Sequence, residues 1–240
     1  MVDPLAAFTD NVTSYYTTKF GYSLSTPNPS SSTGEWIVEV SDEGLGVGGA
    51  AGAEGLGITG GAVLDDFFSK SFVSHELANV FQGQVTSGWP WANGSNVWRA
   101  LNPADSPYTS PFPYAASVMA LTDLGFTDIA QRKVQDDQAD FGFQLLYAVF
   151  NKFGWAPFAS LMLGIKELNI SLANYAEPTK TGIVTAVISW KSRLDFVTTF
   201  NEFFATAGVE IAQSVFDQIT GLFPAINLTG LLPTGISAPT

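Results

Sequence analysis

The chain contains no cysteine and only one histidine, His75. Without thiols there can be no disulfide framework and no thiolate metal site, and a lone imidazole rules out any two-histidine site. Charge is scarce as well. Asp, Glu, Lys and Arg fill 13% of the 240 positions, about half the usual share. The exposed surface must therefore be built largely from Ser, Thr, Asn, Gln and Gly. Ten basic residues stand against 22 acidic ones, for a net charge of −12. So thin a cationic complement excludes a phosphate-tracking surface for nucleic acid and attraction to anionic lipid. No run approaches the ~20 apolar residues that span a bilayer. The opening Met-Val-Asp-Pro lacks the basic and apolar regions of a signal peptide. It reads as a mature N-terminus with an added Met.

Hydrophobic residues make up 46% of the chain, enough for a substantial core. The length suits one large domain or two small ones. Asn-x-Ser/Thr sequons occur at Asn11, Asn93, Asn169 and Asn227. Together with the low charge they point to an extracellular or cell-surface protein, with glycosylation a matter for these four positions. The absence of thiols also fits an exported protein of a hot or acidic habitat.

Apolar and aromatic residues at spacings of three and four predict a helix over 4–20. A Pro/Ser/Asn loop follows over 25–34. Alternation over 35–40 predicts a strand, and a Gly-rich run extends to about Gly61. Helical character begins near Leu64 and runs to about Gln84. A long loop over 84–112 holds Trp89, Trp91 and Trp98. From Pro113 to Phe223 the pattern is helical, broken near Gly125, Gly154-Trp155, residues 174–181 and Gly208. The expected fold class is α+β, with a small strand-rich N-terminal part packed on a predominantly helical C-terminal part. The expected divisions are 1–63, 64–223 and an extended apolar tail over 224–240, all within one globular domain.

The stretch that carries most chemistry is His75-Glu76-Leu77-Ala78-Asn79. A helix that reads His-Glu-x-x-His sets two imidazoles one turn apart to grip Zn²⁺, and the Glu serves as general base. Here Asn79 occupies the second ligand position with a neutral amide. The plain alternative is an amphipathic helix with a polar pair. Gly55-Leu56-Gly57-Ile58-Thr59-Gly60 matches G-x-G-x-x-G, but no apolar strand precedes it and no parallel strand follows, so nucleotide binding is not expected. Asp136, Asp137 and Asp140 read as acids opposing a helix macrodipole at the start of the next helix. No spacing among Glu35, Glu39, Asp42, Glu43 and Glu54 selects a glycosidase pair. No G-x-S-x-G elbow supports a Ser-His-acid triad. The three indoles either cover the core or line a ligand groove.

Three segments together resemble the gluzincin metallopeptidases, and most closely the enhancin-like group that includes mucin-degrading surface peptidases. Residues 72–82, FVSHELANVFQ, are similar to that group's active-site helix. Residues 145–163, with Asn151-Lys152-Phe153-Gly154-Trp155 and Phe158, resemble its downstream helix pair. Residues 193–211, with Asp195-Phe196 and Phe203-Phe204, resemble its final segment. The likeness covers roughly residues 55–223 and implies that the α+β fold is zincin-like. It implies His75 as first zinc ligand and Glu76 as general base. The family's third ligand is a Glu on the following helix, and residues 113–124 contain none. The nearby acids are Asp105 and Asp123. The expectation is a secreted module with a decayed, non-catalytic site, holding no cofactor or a weakly bound divalent metal. Its expected partners are a glycan, peptide or glycoprotein surface, or further copies of itself. The alternatives are an active metal-dependent peptidase using His75, Asn79 and Asp105 or Asp123, with zinc if active, and a self-assembling extracellular subunit.

Overall fold

A computed structural model of the chain describes residues 2–23, 37–41, 49–51, 55–59, 65–85, 111–138, 141–176, 178–206, 208 and 210–237. Helix α1 (Val2–Phe20) turns Leu5, Phe8, Val12, Tyr16 and Phe20 inward, the three-and-four spacing that its sequence displays. Three short strands follow: β1 (Ile37–Ser41), β2 (Gly49–Ala51) and β3 (Gly55–Thr59). They form one sheet in the order β1-β3-β2, with β1 parallel and β2 antiparallel to β3. Residues Gly55–Thr59 of the G-x-G-x-x-G run thus supply strand β3.

Helix α2 (Asp66–Val85) is opened by Asp65, whose Oδ1 accepts the Phe68 N–H at 2.9 Å. It is buried on nearly all sides. Ser69, Ser71, Val73, Ser74, Glu76, Leu77, Ala78, Asn79, Val80 and Phe81 all lie inside. A helix buried all round is surrounded by other elements. Here these are α1, α3 (Pro111–Asp123), α4 (Thr127–Asp137) and α6 (Ala156–Glu167). Gly125, at φ 89°, ends α3 in a left-handed turn, and the Phe126 N–H reaches back to the Leu121 carbonyl at 2.8 Å. That closure folds α4 back beside α3.

Helix α5 (Phe141–Phe153) leads through Gly154 into α6. An aromatic cluster welds this pair to α1, α2 and α3. Phe150 and Phe158 stack with centroids 3.9 Å apart, and Trp155 meets Phe150 at 4.7 Å and Phe20 at 5.1 Å. Phe20 in turn lies on Phe81, and Phe112 on Phe158. Each fully buried Phe contributes on the order of 1.5–3 kcal/mol.

The second buried helix is α7 (Thr179–Ser192), packed against α6, α8 (Phe196–Thr206) and α9 (Gln213–Leu222). Two glycines set the helix separations. A Cβ on Gly164 would lie 2.6 Å from Val187 Cγ1, and one on Gly182 would lie 2.7 Å from Ile219 Cδ1. The stretch after α9 contains no helix, yet it is tied down. Leu232 bridges Leu194 in parallel, the Asp195 N–H donates to the Leu232 carbonyl at 2.7 Å, and Thr234 is buried against Thr199.

The expected α+β, zincin-like class is overturned, because the described residues are nearly all helical. The N-terminal part is dominated by the 19-residue α1, which enters the common core directly. The strand signal covered few residues, and its continuation is glycine-rich, a composition with few side chains from which to build a buried sheet face. Among the described residues no helix is long and apolar enough to cross a membrane.

Candidate functional site

His75, Glu76 and Asn79 lie near the middle of α2, where the expected helix forms. Spacing on a helix puts residues 75 and 79 on one face. Glu76 Oε1 is 4.0 Å from His75 Nε2, and its Oε2 accepts the Asn79 side-chain N–H at 3.2 Å. Thus the position of the second histidine in a peptidase motif is spent on the carboxylate that would serve as base. Asn79 Oδ1 and His75 Nδ1 are buried and find no hydrogen-bond partner among the described residues.

Two further helices complete the surroundings. Tyr114 on α3 lays its ring against the imidazole, centroids 4.6 Å apart. Lys133 on α4 places its ammonium 4.7 Å from the Tyr114 ring centre and 3.0 Å from Asp137 Oδ2. The result is a polar island of six side chains where α2, α3 and α4 meet.

Its electrostatics follow from burial. Glu76 is pushed up to about 7 by desolvation, against the opposing pull of the Asn79 amide and the Lys133 charge. His75 is held well below its ordinary value, first by desolvation and then by Lys133. Near pH 6 the pair therefore sits in the core uncharged, the carboxyl protonated and the imidazole neutral. A buried pair without formal charge avoids the heavy desolvation penalty of an ion pair.

Asp123, expected as a possible metal ligand, is committed elsewhere. At the end of α3 its Oδ2 accepts the Tyr15 hydroxyl at 2.7 Å and lies 3.2 Å from Lys19 Nζ. Tyr15 in turn accepts the Trp155 indole N–H at 2.7 Å. Asp105, Trp89, Trp91 and Trp98 fall outside the described residues, so the ligand groove expected there does too. Among the described residues no group of three His, Asp or Glu side chains could hold a metal ion. Zinc wants three or four imidazole, thiolate or carboxylate donors. One imidazole, one amide oxygen and a hydrogen-bonded carboxyl do not make that set.

The chain matches no protein-family model, no curated protein and no solved structure.

Sequence reasoning missed Tyr114 and Lys133 and gave Asp137 another role. Asp136 and Asp137 were expected at a helix start, but they close α4, where an acid faces the negative end of the macrodipole. Lys133, one turn earlier, offsets that placement for Asp137. The signal that could have located this pair is the Lys-x-x-x-Asp spacing.

Proposed function

We propose that this chain is a non-catalytic, extracellular helical module that binds a glycan, peptide or glycoprotein surface. Its His-Glu-x-x-Asn helix serves the core and not a metal. The observation that carries this reading is the bond from the Asn79 amide to Glu76. It occupies the would-be base with the residue that replaces a ligand. The commitment of Asp123 to Tyr15 and Lys19 supports the same conclusion. The low charge and net acidity favour partners that are neutral or basic.

A second reading, a hydrolase with an atypical and weakly held divalent cation, is favoured by one feature. His75 Nδ1 and Asn79 Oδ1 both lie buried one turn apart without partners among the described residues, and unbonded buried acceptors attract donors or cations.

Metal analysis of the purified protein separates the two. The binding-module reading expects no stoichiometric metal after dialysis against zinc, manganese or calcium, and no change in metal content for His75→Ala. One bound metal per chain, released by His75→Ala, overturns the decayed-site reading and favours the second.

A further inference from the structure

The four sequons are not equivalent in three dimensions. Asn11 lies within α1, where side chains two residues apart point about 200° away from each other. The Thr13 hydroxyl cannot meet the Asn11 amide there. Asn169 ends α6 in a left-handed conformation, φ 50°, and no hydrogen bond joins it to Ser171 among the described residues. Asn93 lies outside the described residues. Asn227 is different. Its Oδ1 accepts both the Thr229 N–H at 2.9 Å and the Thr229 hydroxyl at 2.7 Å. This turn brings the hydroxyl of the sequon onto the amide that would be modified. Both donors polarise the side-chain carbonyl, and Nδ2 is left unbonded among the described residues. Asn227 and Thr229 are exposed.

Arg193 holds the turn from outside. Its backbone is left-handed, φ 61°, and its guanidinium donates to the Asn227 carbonyl at 3.2 Å and to the Thr229 carbonyl at 2.9 Å. The turn itself is closed by bonds within three residues. It can therefore form in the unfolded chain and persist in the folded one.

We infer that Asn227 is an N-glycosylation site whose sequon is held in its reactive turn by Thr229 and Arg193. This rests on the extracellular reading above. The donor is an oligosaccharide linked to a polyprenyl phosphate or pyrophosphate. A bond forms between Asn227 Nδ2 and the anomeric carbon of the first sugar. The bond from that carbon to the phosphate oxygen breaks, the lipid phosphate leaves, and the amide gives up one proton. The exposed depression beside Asn227, bordered by Gln213, Asp217, Thr220 and Pro224, leaves room for the first sugar.

The test uses the protein purified from the cells that produce it, alongside Asn227→Gln, Thr229→Ala and Thr229→Ser variants. Intact mass spectrometry should exceed the polypeptide mass by whole sugar residues, with the excess mapped to the peptide holding Asn227. Asn227→Gln and Thr229→Ala should remove it, and Thr229→Ser should retain it. Labelling of intact cells with a membrane-impermeant amine reagent reports location independently. A labelled protein with a bare Asn227, or with sugar only at Asn11 or Asn169, overturns the inference while leaving the extracellular reading standing. An unlabelled, unmodified protein overturns both.

Discussion

Asn79 donates its side-chain amide to Glu76, three residues earlier on the same helix, at 3.2 Å. Burial drives the carboxyl from 4.5 to about 7, while this contact favours the carboxylate and opposes the shift. The unfolded chain releases this proton near pH 4.5 and the folded chain near 7. In that window the folded state holds the extra proton, so stability from Glu76 falls as pH rises, and the loss is complete above 7. Glu76→Gln removes the effect. Relative to wild type it should gain about 3 kcal/mol between pH 4.5 and 7.5. Urea midpoints across that range check it, and parallel curves for the two proteins would refute it.

His75 acts with the opposite sign. Its folded value lies well below 6.5, so only the unfolded chain protonates it as pH drops through 6.5, and stability falls towards acid. Just below pH 6.5 the folded state holds its proton on Glu76 and the unfolded state on His75, so the two slopes oppose each other. In Glu76→Gln only the histidine slope remains, so that variant should lose stability from pH 6.5 downward. His75→Gln in the same background should flatten the curve.

Introducing a second imidazole at position 79 is informative in its own right. Asn79→His frees Glu76 from its amide partner and puts two imidazoles one turn apart on α2. The variant should gain a zinc-dependent rise in melting temperature that the wild type lacks, and His75→Ala should abolish it. Calorimetric titration with zinc, run on all three proteins, measures the gain. Equal zinc response in wild type and variant would count against the packing described for this helix.

Gly182 on α7 faces α9 with no room for a methyl group, since a Cβ would lie 2.7 Å from Ile219 Cδ1 and 2.9 Å from Val215 Cγ1. Helix propensity alone favours Gly182→Ala by ~1 kcal/mol. Overpacking of 1–3 kcal/mol opposes it. The steric term wins here, because both neighbours sit on one helix and must move together. Chemical denaturation should show Gly182→Ala less stable than wild type. Gly221, with open space where its Cβ would go, should by contrast accept Ala without loss.

Truncation after Phe223 strips partners from the Arg193 guanidinium, the Thr199 hydroxyl and the Lys152 ammonium. It also removes the buried Ile226. At ~1 kcal/mol per hydrogen bond and ~2 for the side chain, the loss should be at least ~3 kcal/mol. A melting curve unchanged by truncation would mean these contacts carry no net stability.

Long periodic segments were legible in the sequence, and short or composite ones were not. Helix α1 was readable because Phe8, Val12 and Tyr16 recur at one-turn intervals. The Gly125 and Gly154 breaks were readable because left-handed turns favour glycine. Helix α2 was placed correctly, but its near-complete burial was hidden, because Ser69, Ser71 and Ser74 look like surface residues. They are buried because their hydroxyls bond back to carbonyls of the preceding turn, as Ser74 does to Lys70 at 2.8 Å. The strand at 37–41 was foreseen, but its weight in the fold was overestimated. The polar island escaped notice because Lys133 and Tyr114 reach His75 from separate helices, and no local spacing records such a meeting.

The Thr199–Thr234 contact has a temporal consequence. Helix α8 is synthesised before residue 234, so its Thr199 hydroxyl lacks this tertiary partner during that interval. Asp195 and Arg193 likewise wait for residues 227–232 to be translated. The α7–α8 corner is therefore sealed late, after α1 and α2 have had time to dock through Tyr16 and Ser74. Synthesis order and assembly order should coincide in this molecule, with the amino-terminal helices closing first and the carboxyl-terminal strap fastening last.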